Sequence, residues 1–92
     1  MAVFHTPLYS SGKHGNEPRV RPLVDLLWKS GAELIVNGHD HNYERLAPVT
    51  PGGQIDYKYG IQQFIVGTGG APLRPPGPVA APQSRTFQHE AW

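Results

Sequence analysis

The chain has 92 residues, 21 of them Gly or Pro, no Cys, and a net charge of +1 from eight Lys and Arg against seven Asp and Glu. That length excludes more than one small domain, the Gly and Pro content excludes a helical bundle, and the lack of Cys excludes a disulfide framework. A near-neutral balance without a basic run excludes a nucleic-acid surface, and no apolar stretch approaches the roughly 18 residues of a membrane span, so neither nucleic acid nor membrane is an expected partner.

In chain order the elements read as an α/β pattern. Ala2-Val3-Phe4 is a short apolar run, predicted as a buried strand ending at His5. Thr6 to Arg19 switches to Pro, Ser, Gly, Lys, His and Asn, which is loop chemistry over a length that suits a functional or a disordered loop. Val20, Leu23, Val24 and Leu27 then recur at i, i+3, i+4 and i+7, one face of a helix over 21–30. Pro22 fits its first turn and Gly31 the position just past its end. Ala32 to Asn37 predicts a second strand, its Leu34-Ile35-Val36 run being of the kind covered on both faces. Strand, loop, helix and strand make a βαβ unit, normally a right-handed crossover with parallel strands. His5 and the segment Gly38-His39-Asp40-His41 therefore end side by side, at the edge where such units bind ligands.

Tyr43 to Val49 reads as extended, Thr50-Pro51-Gly52-Gly53 as a turn, and Ile61 to Val66 as a third strongly apolar strand closed by Gly67-Thr68-Gly69-Gly70. From Ala71 the chain is rich in Pro and then aperiodic, an irregular tail on this reading. A core this small ordinarily needs help from a metal, a partner, or a further part of the same protein.

The richest segment chemically is Asn37-Gly38-His39-Asp40-His41-Asn42-Tyr43-Glu44-Arg45. Histidines two apart on extended backbone point the same way, with Cα atoms about 6–7 Å apart. Two ions of a hydrolytic site lie about 3.5–4 Å apart, so the pair can give one imidazole to each ion or both to one. Gly38 lets backbone and ion approach closely, and His5 brings a third imidazole from the neighbouring strand. A His-x-His pair also occurs in turns whose imidazoles bond to a nearby Asp40 or Glu44; a third His at the same edge favours ligation. Asp40 itself reads as solvent-facing or as support for the ligands, and Lys13 as a solvated loop lysine.

His5-Thr6-Pro7-Leu8-Tyr9-Ser10-Ser11, His14-Gly15, the block Val36 to Arg45, and Val66-Gly67-Thr68-Gly69-Gly70 together resemble the carboxyl-terminal part of a calcineurin-like metallophosphoesterase of the purple acid phosphatase type. The likeness covers residues 1–73, leaving 74–92 as the Pro-rich tail, and Gly-His-x-His-x-Tyr-Glu-Arg is its most specific block. It implies a partial metallophosphoesterase sandwich, a βαβ unit plus further strands, truncated on its amino-terminal side, and a metal-dependent, acid phosphatase-like hydrolase. His39 and His5 are then ligands to one metal and His41 to the other. His14 matches the histidine that meets the substrate phosphate and protonates the leaving group. Tyr43, Glu44 and Arg45 support the site from below. The family's cofactors are two divalent or trivalent ions (Fe, Zn or Mn), its partner a phosphate ester. Two such cations polarise the phosphoryl oxygens and acidify a water for in-line attack.

The family's carboxylate blocks do not occur. Asp25, Asp40 and Asp56 are followed at the second position by Leu27, Asn42 and Lys58, and none follows a Gly, which excludes both an Asp-x-His and a Gly-Asp motif. Unit charges 4 Å apart already repel by about 4 kcal/mol at an effective dielectric of 20, so two dications need a bridging carboxylate. At most one weakly held ion is expected on His5, His39 and His41, and the chain alone is expected to be inactive, awaiting the missing amino-terminal half of the domain. The alternative is a non-catalytic metal-binding or interaction module. Localisation is left undetermined by these features.

Overall fold

In the computed structural model, which describes residues 1–90, the chain forms β1 (Ala2–Val3), α1 (Arg21–Lys29), β2 (Leu34–Asn37), β3 (Tyr43–Leu46), β4 (Gln62–Val66) and β5 (Ser84–Gln88). All five strands join one sheet in the order β1-β2-β4-β3-β5. β1, β2 and β4 run parallel, while β3 is antiparallel to both β4 and β5. The βαβ unit of β1, α1 and β2 thus forms as its periodicity requires, within an α/β fold.

Helix α1 starts after a 3₁₀ turn, Pro18–Val20, whose Arg19 N–H is capped by the Glu17 carboxylate at 3.1 Å. It ends in a Schellman pattern: Ala32 N–H donates to the Leu27 carbonyl at 2.9 Å and Gly31 N–H to that of Trp28 at 3.1 Å. This end requires Gly31, which sits at φ 81°. The apolar stripe of the helix docks on the sheet through Val24, which clusters with Leu8, Ile35 and Ile61. A second cluster joins Leu46, Ile65 and Ala81, and Tyr9 packs against both.

Two expectations change. Strand β3 stops at Leu46, and Val49 contributes only isolated bridges to Ile55 and Ile61. The region expected as an irregular tail, 74–92, contains β5, which pairs with β3 from Tyr43↔Gln88 to Leu46↔Ser84 with an irregularity between Arg45 and Leu46. Its physical cause is non-local: β3 otherwise presents an unpaired edge, and Ser84–Gln88, with Thr86 and Phe87 in it, satisfies those backbone groups. Residues 91 and 92 of that tail lie outside the described residues. The Pro-rich segment before β5 is irregular but anchored. Arg74 N–H donates to the His41 carbonyl, Gly77 N–H to that of Ser11, and Ala81 N–H to the Ser11 hydroxyl, each at 2.9 Å. Among the described residues no helix is long and apolar enough to cross a membrane.

Candidate active site

The carboxyl ends of β1 and β2 meet as the parallel pairing demands. Gly38 N–H donates to the His5 carbonyl at 2.9 Å, and His39 Nδ1 faces His5 Nε2 at 3.2 Å. Two nitrogens each 2.0–2.1 Å from one ion at a near-tetrahedral angle are about 3.3 Å apart, so this pair fits two corners of a single metal's coordination shell. The His14 ring lies against His39, centroids 4.1 Å apart, although 25 residues separate the two in sequence.

The His-Asp-His segment is not extended, contrary to the spacing argument. Asp40 N–H donates to the Gly38 carbonyl at 2.8 Å and Asn42 N–H to that of Asp40 at 2.9 Å, two tight three-residue turns in succession. His39 takes a positive φ of 68°, which costs a residue bearing a side chain about 1–2 kcal/mol. The bend directs His39 toward His5 and His14, while the His41 ring engages the Pro72 carbonyl through Nδ1 at 3.0 Å. With Nδ1 donating there, Nε2 is the nitrogen that His41 leaves for a ligand. Among the described residues no three His, Cys, Asp or Glu side chains are placed to hold one ion.

Beneath the histidines lies a buried polar layer. Asp40, Asn42 and Glu44 have no exposed surface, and Ser10 and Ser11 have almost none. Asp40, expected to face solvent or to support the ligands, is instead the hub of the loop that carries His14. Its Oδ1 accepts from the His14 backbone N–H at 3.0 Å and meets His14 Nδ1 at 2.6 Å, and its Oδ2 accepts from the Ser10 hydroxyl. Glu44 Oε1 accepts the Ser11 N–H at 2.8 Å. A side chain on Gly12 would come within 2.6 Å of Asp40 Cβ and 2.7 Å of Asn42 Nδ2, so the loop closes over this layer only with Gly there.

Tyr43 and Arg45 alternate with Glu44 along β3 and take the opposite face. Tyr43 packs on Phe64, and Arg45 donates to Thr86 Oγ1 at 3.4 Å. Of the three residues expected beneath the site, only Glu44 therefore touches the His14 loop.

Burial drives the His39 pKa below the ordinary imidazole value, with the neighbouring His14 acting in the same direction. The ring is thus neutral at pH 7, the state in which imidazole ligates. Burial works the other way on Asp40, yet the hydrogen bonds from Ser10 and from His14 backbone and ring outweigh it and hold the carboxyl below its ordinary value. Sequence reasoning missed Ser10, Gly12 and the burial of Asp40. Their only trace was the small Ser10-Ser11-Gly12 run and an acid flanked by two histidines.

The site and sheet together define a class: an α/β unit with a histidine cluster at the carboxyl ends of parallel strands. No protein-family model matches the chain. It is similar to an acid phosphatase of Aspergillus ficuum, 42% identical over 57 residues, covering 61% of this chain and 9% of that protein. It is also similar to Purple acid phosphatase 21 of Arabidopsis thaliana, 35% identical over 52 residues, covering 53% of this chain and 12% of the relative. The structure of purple acid phosphatase PPD1 from yellow lupin (Lupinus luteus) seeds matches with a TM-score of 0.78 and 26% identity, over 97% of this chain and 18% of that one. GAP50, the anchor in the inner membrane complex of Plasmodium, matches with a TM-score of 0.73 at 21% identity, over 92% of this chain and 24% of that one, and shows the fold alone. These likenesses support a purple acid phosphatase-like metallophosphoesterase region. It spans about a tenth of the length of the curated relatives it matches.

Proposed function

We propose that this chain is the histidine-bearing part of a metal-dependent phosphoric ester hydrolase, and that hydrolysis requires carboxylate ligands this sequence does not contain. The observation that carries the reading is the facing pair His39 Nδ1 and His5 Nε2 at 3.2 Å with the His14 ring against it. The phosphatase names of the relatives support the reaction class. His5 and His39 would hold one ion, and His41 would offer Nε2 to a second. Bound metal supplies Lewis-acid charge for the phosphoryl oxygens and a more acidic water. His14, unligated and at the rim, donates a proton to the departing alcohol.

A second reading, a non-catalytic metal-binding or interaction module, is favoured by one observation: the described residues bring no carboxylate to the facing nitrogens. Hydrolysis of p-nitrophenyl phosphate with added Mn²⁺, Fe³⁺ or Zn²⁺ separates the two, measured for this chain and for a version extended upstream. The expected result is no turnover by the chain, turnover by the extended protein, and loss of at least 100-fold on His39→Ala or His41→Ala. Full activity after both substitutions overturns the phosphatase reading, and turnover by the short chain overturns the requirement for further ligands.

A further inference from the structure

We propose that Asp40 is a positioning residue for His14: its buried carboxylate holds the imidazole as the Nδ1–H tautomer and so commits Nε2 as the nitrogen that meets a phosphate ester. The substrate half of this inference rests on the phosphoesterase reading above; the anchoring half does not.

Three observations carry it. Asp40 is fully buried, yet every hydrogen bond its carboxylate accepts comes from the His14 loop. Ser10 Oγ donates to Oδ2 and itself accepts the Gly12 N–H at 2.9 Å, which fixes the carboxylate plane. Oδ1 then grips His14 twice, at its backbone N–H (3.0 Å) and at ring Nδ1 (2.6 Å).

An ionised carboxylate only accepts hydrogen bonds, so the ring nitrogen that faces it carries the proton. A neutral His14 therefore has its lone pair on Nε2, and a protonated one its second N–H there. Either way the exchangeable position is Nε2, on a partly exposed ring that is locked at Nδ1. An acid that holds a histidine's tautomer and orientation from behind, without itself exchanging the proton, is the arrangement by which a carboxylate steers imidazole catalysis on unrelated folds. Gly12 belongs to the device, because a side chain there would collide with Asp40.

The direct test is a long-range ¹H–¹⁵N spectrum of the imidazoles of this chain, without metal, at about pH 8.5, two units above the ordinary histidine pKa. His14 is expected as the Nδ1–H tautomer in the wild type and as a mixture, or as the Nε2–H form, in Asp40→Ala, which removes the acceptor that an Asn carbonyl would keep. A wild-type His14 in the Nε2–H form overturns the proposal and needs no variant to fold. An unchanged tautomer in a folded Asp40→Ala chain, checked by backbone amide dispersion, also overturns it.

The second arm uses the upstream-extended, metal-loaded protein. Asp40→Ala is expected to lower kcat by about 10–100-fold with KM within about threefold, and to add little once His14→Ala is present, as for residues acting through one another. Fully additive losses overturn the steering of His14. If the extended protein turns nothing over, the phosphoesterase reading fails, and the tautomer spectrum still decides the anchoring by Asp40.

Discussion

The residues that shape this site are chiefly polar ones in places normally kept for apolar side chains. Asp40, Asn42 and Glu44 are sealed under the loop that carries His14, and each buried carboxylate is held by loop donors rather than by Lys or Arg. Tyr9 ties the far side of the same loop, its hydroxyl donating to the Pro51 carbonyl at 2.8 Å. Burial raises its phenol pKa above the ordinary value, with the Arg21 charge acting the other way. A raised folded-state value means that the contribution to stability is whole below the unfolded value near pH 10 and is lost as pH rises through the folded one. Tyr9→Phe is therefore expected to cost about 1 kcal/mol at pH 7, the worth of one hydrogen bond. The gap from wild type should shrink in urea titrations run above pH 10, and a gap that widens there contradicts the assignment.

At the scale of elements, the strands obey their period of two wherever a neighbour covers one face. Along β4, Gln63 and Ile65 are buried while Val66 is 47% exposed. Ile65→Ala is expected to cost 2–4 kcal/mol and Val66→Ala less than about 0.5 kcal/mol, read from urea midpoints at constant m-value. Similar costs at both positions would mean that the exposed face is packed in solution. The βαβ unit was legible because helix period, Pro22 and Gly31 all agree on one helix and its ends. The bend at 39–42 was not: a His-x-His spacing favours extended ligation, and the competing demand, burial of Asp40 under Ser10 and Gly12, comes from a loop nearly thirty residues earlier. β5 was hidden for the same kind of reason, since its pairing partner lies some forty residues upstream.

Taken whole, the chain closes on itself better than its composition promises. Its accessible surface of 5305 Å² matches the roughly 5,300 Å² of a monomer of this mass. The Cα radius of gyration, 12.2 Å, likewise equals the value of about 12 Å for a compact domain. It does so with nearly as many buried polar as apolar residues, so hydrogen bonding around the His14 loop supplements a thin core. Metal should tighten that fold further. Zn²⁺ at 100-fold its dissociation constant is expected to raise stability by about 2.7 kcal/mol in a thermal melt. One ion per chain should titrate against a chromophoric chelator, and His5→Ala or His39→Ala should abolish the shift while His41→Ala leaves it. A shift that survives loss of His5 and His39 together would place the ion elsewhere.

Local pattern alone settled the order of strand, loop, helix and strand. Through the rule that such crossovers are right-handed and parallel, it also settled that His5 arrives beside His39. These follow from periodicity and chain stereochemistry, which act over a few residues. Tertiary structure decided which way His39 and His41 turn, that Asp40 is buried against His14, and that residues 84–88 complete the sheet. Those outcomes depend on unsatisfied backbone and carboxylate groups finding partners far along the chain, and that pairing exists only once the sheet and the His14 loop have come together.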